Sequence, residues 1–94
     1  MAHSPVKKTV SLSTHTRYRD VGGEGVLVHL DRGRVIVVNE IGLFIVQQLQ
    51  RPTTEHNLVV ALVDEFEVSS DQAKVDLQPF LARLDHEQIL DHGE

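Results

Sequence analysis

The side chains that could do chemistry in this sequence are mainly histidines and carboxylates. The spacing of neither residue type predicts a reactive site. The histidines stand at positions 3, 15, 29, 56, 86 and 92, and no two are four residues apart as in a helical pair of metal ligands. Cysteine is absent from the sequence, which removes thiolate nucleophiles, thiolate metal ligands and disulfides together. We therefore expect surface histidines, no metal site and no other cofactor.

The remaining polar residues are typical of surface and turn positions. Serines and threonines between Thr9 and Thr16 have no neighbouring base that would activate a hydroxyl. The glycines at 22, 23 and 25 precede a predicted strand, whereas a phosphate-binding loop precedes a helix. Carboxylates lie at the end of the second predicted helix and along the third. At such positions we expect a solvated helix face and not a pair of residues for general acid-base catalysis. These carboxylates are Asp64, Glu65, Glu67, Asp71, Asp76, Asp85 and Glu87. The sequence thus predicts a binding protein and not an enzyme.

Length and charge indicate the class of protein and of partner. The 94 residues, of which 40% are hydrophobic, fit one soluble domain, which we place at residues 17–94 behind a mobile tail or short first strand at residues 1–16. The net charge of −5 disfavours a nucleic-acid partner, because phosphate binding needs clustered cations. No apolar stretch of the sequence resembles a secretory signal or a membrane span. We expect a cytoplasmic protein that binds neither nucleic acid nor membrane.

The hydrophobic pattern after the glycine-rich turn predicts a β-hairpin, with a further short strand near residues 9–12. Residues 26–30 and 34–38 flank the turn-forming Asp31-Arg32-Gly33. A two-residue loop at Arg32 and Gly33 would pair Leu30 with Val35. We expect the core side to be the face that carries Val26, Val28, Leu30, Val35 and Val37. The other face carries Leu27, His29, Asp31, Arg34, Ile36 and Val38, of which Ile36 and Val38 are candidates to contact a ligand.

The second strand of this hairpin lacks the protection that edge strands usually have. Residues 35–38 are apolar on both faces and contain neither a charge nor a proline, the two features that commonly block pairing with another chain. Two explanations fit this pattern. Either a helix of the same chain covers the second face, or the strand accepts a guest strand.

Three amphipathic helices are predicted after the hairpin. Asn39 is the expected N-cap of a helix over about residues 40–50, and the second helix begins after Thr53 or Thr54. Ser69 has the spacing of a capping box at the start of a third helix, which Pro79 should kink or break. With three antiparallel strands, these helices predict an α+β fold that resembles a winged helix-turn-helix. A DNA-binding regulator is therefore an alternative, although the third helix is acidic.

Three segments together are similar to PqqD-like proteins. The first is G-R-V-I-V-V-N-E-I-G at residues 33–42. The second follows T-x-x-x-L-V-x-x-L-x-x-E-F-x-V at residues 54–68, and the third follows D-L-x-x-F-L-x-x-L at residues 76–84, with the apolar pair Ile89 and Leu90 after it. The resemblance extends over about residues 21–90. It departs from the family at Phe44, where a smaller residue is commoner, and at Pro79.

The resemblance implies a non-catalytic role in making ribosomally synthesised, post-translationally modified peptides. Members known as RiPP recognition elements bind the leader segment of a precursor peptide as a strand beside the third strand of the sheet, in a cleft closed by the third helix. They present the peptide to a modifying enzyme, such as a radical-SAM enzyme, a protease or a cyclase. Carried over by position, the peptide contacts are Arg34, Val35, Ile36, Val37 and Val38 on the strand, and Lys74, Val75, Gln78 and Leu81 on the helix.

A third possibility uses the same strand edge for a different purpose. A dimerising structural subunit of a biosynthetic complex could pair two copies through this edge. The expected state is accordingly a monomer or a weak homodimer.

Overall fold

The computed structural model describes residues 8–93, which form three helices and two small antiparallel sheets. The predicted α+β class is confirmed. The elements in chain order are β1 (Thr9–Leu12), β2 (Thr16–Val21), β3 (Glu24–His29), β4 (Arg34–Val38), α1 (Glu40–Gln48), α2 (Glu55–Phe66), α3 (Ser70–His86) and β5 (Leu90–Gly93). Residues 1–7 of the predicted tail lie outside the described residues. The division between residues 1–16 and 17–94 stays a prediction.

The three-stranded sheet has the order β2-β3-β4, and β1 pairs separately with β5. Only one strand was predicted before the hairpin, near residues 9–12, and β2 and β5 were not predicted. Gly22 and Gly23 form the two-residue turn between β2 and β3, with φ angles of 65° and 93°. Such positive angles suit glycine because it has no Cβ to clash with the backbone.

The predicted inside and outside faces of the hairpin were reversed. Its loop has four residues, 30–33, so that Val28 and not Leu30 pairs with Val35. The residues divide between the faces as expected, but the buried set contains Leu27, Ile36 and Val38, whereas Val35 and Val37 are 59% and 54% exposed. His29, predicted at the surface, is also buried on the inner face, and its Nδ1 has no hydrogen-bond partner.

Gly25 explains which face of the hairpin is buried. It lies on the same face as Leu27, and a Cβ at Gly25 would lie 2.7 Å from Val38 Cγ2 and 3.2 Å from Leu43 Cδ1. The missing side chain therefore leaves room for α1 to approach this side of the sheet. The helices cover the inner face, and the valines of the outer face stay in solvent.

The predicted helix starts are confirmed by their caps. Asn39 Oδ1 accepts a hydrogen bond from Gly42 N at 2.9 Å, Thr54 Oγ1 accepts one from Asn57 N, and Ser69 Oγ accepts one from Gln72 N. Each cap satisfies an N–H that has no partner inside the helix.

Pro79 does not break α3, which continues from Ser70 to His86. The residue lies on the exposed side of the helix. The opposite side packs into the core through Ala73, Leu77, Leu81 and Leu84, and this packing stabilises the helix although one backbone hydrogen bond is lost. Within residues 8–93 no helix is long and apolar enough to cross a membrane.

Candidate functional site

The order of the sheet makes β2 and β4 its two edge strands. Within residues 8–93, β4 pairs with β3 alone. The edge of β4 that faces away from β3 is therefore available to another strand. Of the two explanations offered for residues 35–38, helices of the same chain do cover the face that carries Ile36 and Val38, and the edge of the strand is also open.

The hydrogen-bonding pattern identifies which backbone groups of β4 point to the open edge. Val21 and Glu24 close the two-residue turn, and Leu30 N donates to His15 O at 2.8 Å. Even-numbered residues of β3 therefore bond to β2, and its odd-numbered residues bond to β4, because successive residues of a strand point to opposite sides. Leu27 pairs with Ile36, so Ile36 bonds to β3. Val35 and Val37 consequently direct their N–H and C=O groups outward.

The two edges of this sheet differ in charge. β2 carries Arg17, Arg19 and Asp20, whereas the charge of β4 is confined to Arg34 at its first residue. Charged side chains on an edge strand oppose pairing with other chains. The edge of β2 is thus protected, and the edge of β4 is not.

Helix α3 runs antiparallel to β4 and meets it at two places. Arg34 Nη2, at the start of β4, lies 2.9 Å from Glu87 Oε2, at the end of α3. At the other end of β4, a Cβ on Gly42 would lie 2.8 Å from Val38 Cβ and 3.1 Å from the Phe80 ring. Between these contacts, β4 extends about 13 Å from Arg34 to Val38, and α3 extends about 10 Å from Phe80 to Glu87. The two elements make few close contacts with each other, and we call the space between them, beside the open edge, the cleft.

An apolar pocket of about 240 Å³ lies at the Val38 end of this cleft. Asn39, the residue after β4, lines it together with side chains from all three helices. Its other lining residues are Ile41, Gly42, Ile45, Leu62, Phe66, Val68, Ala73, Asp76 and Phe80. Asn39 and Asp76 are the polar members of this set, so the pocket suits an apolar side chain.

A family model for coenzyme PQQ synthesis protein D (PqqD) matches residues 24–90, from β3 to the first residue of β5. The chain belongs to the PqqD family. No curated protein matches it significantly. The predicted resemblance to PqqD-like proteins is confirmed.

Two solved structures are similar to this PqqD-family protein. TbiB1 in complex with the TbiA(beta) leader peptide aligns with a TM-score of 0.79 and 25% sequence identity, over 86% of this chain and 94% of that chain. Lasso peptide synthetase B1 complexed with the leader peptide aligns with a TM-score of 0.74 and 20% identity, over 87% and 96%. At 20% identity, the likeness to lasso peptide synthetase B1 shows a shared fold alone.

The predicted strand residues of the PqqD-family chain lie together on β4, but their side chains have different surroundings. Arg34 points toward the end of α3, and Ile36 and Val38 are buried beneath the helices. Ile36 and Val38, the candidates for side-chain contact with a ligand, are 5% and 4% exposed. Val35 and Val37, predicted as core residues, have exposed side chains and outward backbone groups.

The predicted helix residues are not the ones that α3 turns toward β4. Lys74 lines a surface depression beside α2, and Gln78 Nε2 donates to Glu55 Oε2 at 3.3 Å, also on α2's side. Val75 is 66% exposed, and Leu81 belongs to the core.

The side of α3 that faces β4 instead carries Asp76, Phe80, Arg83 and Glu87. Asp76 and Phe80 line the pocket, Glu87 pairs with Arg34, and Arg83 lies between them on the same helical face. These four residues are spaced four, three and four positions apart, so they form a row along the helix beside its buried stripe. That spacing was visible in the sequence, but choosing this flank required the position of β4.

Residues 8–93 contain no group of three histidine, aspartate or glutamate side chains close enough to hold a metal ion. The cleft beside β4 is bordered by the backbone of the strand, by the Phe80 ring and by charged side chains of α3, and Glu87 at the end of that helix pairs with Arg34. Such an arrangement can bind an extended peptide through its main chain.

Proposed function

We propose that this protein binds the leader segment of a ribosomally synthesised precursor peptide as an added strand on β4. The observation that carries the proposal is the pair of outward-facing backbone positions, Val35 and Val37, on an uncharged edge beside a cleft. Membership of the PqqD family supports it, as does the likeness to TbiB1, which is known in complex with a leader peptide. The domain itself contributes no catalytic step.

Affinity in this mode comes from main-chain hydrogen bonds, and selectivity comes from side chains. Val35 and Val37 offer two donors and two acceptors, each worth about 0.5–1.5 kcal/mol net when paired. Alternate side chains of the bound strand point into the cleft, where the pocket at the end of β4 accepts an apolar group. Because the guest is held as a strand, the rest of the precursor emerges in a defined direction.

The bound precursor is presented to a modifying enzyme, a radical-SAM enzyme, a protease or a cyclase. The role of this protein is then to raise the local concentration of the precursor at that enzyme. Substrate recognition by this domain is then separate from the chemistry, which the modifying enzyme performs.

Titration of the domain with the leader of the precursor encoded beside its gene tests the proposal. Val37→Pro removes an outward N–H but none of the bonds to β3, so the fold should survive and affinity should fall by about tenfold, the effect of about one hydrogen bond. Val37→Ala keeps that N–H and is the matched control, with a change of at most about threefold expected.

Circular dichroism of each variant separates binding from folding. Ile36→Pro should unfold the hairpin because the Ile36 N–H bonds to β3. Absence of binding by the wild-type protein, or equal affinity of folded Val37→Pro and Val37→Ala, contradicts the proposal. If Val37→Pro weakens self-association and leaves peptide binding unchanged, the edge serves a dimer.

A further inference from the structure

The outer face of the three-stranded sheet carries four valines in two rows across the strands. Val28 lies opposite Val35, and Val26 lies opposite Val37. On β2, Arg17 continues the first row and Arg19 the second. Val35 and Val37, at the β4 end of the rows, are more than half exposed. Within residues 8–93 no helix packs on this face.

An apolar outer face is unexpected on a sheet that has one side in water. Antiparallel sheets of this kind usually alternate apolar residues inward with polar residues outward. Contact between paired valines stabilises the hairpin, which explains Val26 and Val28 because each has a neighbour on both sides. It does not explain the exposed flank of Val35 and Val37, which faces the open edge.

A strand added to β4 would extend both rows. Side chains directly opposite on adjacent strands point to the same face, with Cβ atoms about 4.5–5.5 Å apart. One guest residue therefore lies beside Val35, and a second guest residue, two positions away in the peptide, lies beside Val37. These two guest side chains point away from the cleft and from its pocket.

We propose that Val35 and Val37 select two alternate, outward-facing side chains of the bound peptide, with a preference for β-branched or aromatic residues over charged ones. This inference rests on the proposed strand addition and assigns a second set of peptide positions to it. The preference is apolar because Arg17 and Arg19 lie two strands from β4, about 10 Å away. On the outer face of the sheet, charged side chains thus do not reach the guest strand, and Arg34, the charged residue of β4, belongs to the opposite face.

The inference is tested by introducing charges at Val35 and Val37 of the protein and at single positions of the same leader peptide. Val35→Lys and Val37→Lys are combined with a set of peptides in which each position in turn is replaced by Glu or by Lys. Val21→Lys is the control, since Val21 lies on the same face at the far edge and is similarly exposed, at 52%. Affinities come from calorimetric titration of the full chain.

The expected result is coupling at two specific peptide positions. Val35→Lys should weaken the unmodified peptide by about two- to fivefold, and Glu at one peptide position should restore most of that loss. Val37→Lys should show the same rescue at a position two residues away, and Val21→Lys should show none. With the wild-type protein, Lys at either peptide position should weaken binding by a similar factor.

Two results would overturn the inference, and they are distinguishable. If the wild-type protein does not bind the peptide, the proposed function fails, and this inference fails with it. If it binds but Glu rescues Val35→Lys and Val37→Lys at no position, or at positions not two residues apart, strand addition on β4 can still hold while outward selection does not.

Discussion

Gly42 is the single residue that sets how closely α1, β4 and α3 approach one another. Its hydrogen atom occupies a space where a Cβ would lie 2.8 Å from Val38 Cβ and 3.1 Å from the Phe80 ring. The same contact forms one end of the cleft beside β4. A single missing side chain therefore shapes both the core and the proposed binding site.

Gly42→Ala should destabilise the protein by about 1–3 kcal/mol, the usual effect of overpacking a core. The sign is informative, because alanine in a helix is otherwise favoured over glycine by about 1 kcal/mol. Urea unfolding measures the change, with Val75→Ala as an exposed helical control that should stay within about 0.5 kcal/mol of wild type. A more stable Gly42→Ala protein would contradict the close contact.

The helix caps, which depend on neighbouring residues, were predicted correctly, whereas the buried face of the hairpin, which depends on distant residues, was not. Asn39, Thr54 and Ser69 cap helices through bonds to residues three positions ahead, which a sequence displays directly. Whether Val35 or Ile36 is buried depends on where α1 packs, and Gly25 was the local signal for it. The sequence could not show which flank of α3 faces β4 for the same reason, because that orientation depends on tertiary packing.

Helix α3 is the element in which local preference and tertiary packing conflict. Pro79 cannot donate a hydrogen bond to the carbonyl of Val75, yet the helix continues through it because Leu77 and Leu81 are buried on either side. The strands illustrate the opposite situation. β2, with the sequence T-R-Y-R-D-V, has little apolar character of its own and is defined by pairing with β3. β5 likewise depends on β1, about 80 residues away in the chain, and no short-range pattern reveals it.

Pro79→Ala should stabilise the protein by about 1–3 kcal/mol, since it restores a backbone donor and removes a ring that crowds the preceding turn. Thermal or urea unfolding is the measurement. Pro52→Ala, outside the helices, is the control and should leave stability unchanged or lower it by less than about 1 kcal/mol. An unchanged or lower stability of Pro79→Ala would mean that α3 is already adapted to its proline.

Acidic side chains outnumber basic ones on α3, the helix that a winged helix would use to bind DNA. It carries Asp71, Asp76 and Asp85 against Lys74 and Arg83. A winged helix that binds DNA directs its recognition helix at phosphates, and an acidic α3 is poorly suited to that. The open edge instead runs along β4 from Arg34 to Val38, and the next residue, Asn39, lines the apolar pocket. This continuity favours an extended peptide as the ligand.

Amide hydrogen exchange of the free protein, followed residue by residue with NMR, tests the open edge of β4 most directly. The account predicts that the Val35 and Val37 amides exchange quickly, while the Ile36 amide between them is protected by about a hundredfold or more through its bond to β3. Addition of the leader peptide should then slow Val35 and Val37 specifically. Protection of Val35 and Val37 equal to that of Ile36 in the monomeric free protein would contradict the account, because their backbone groups would already be paired.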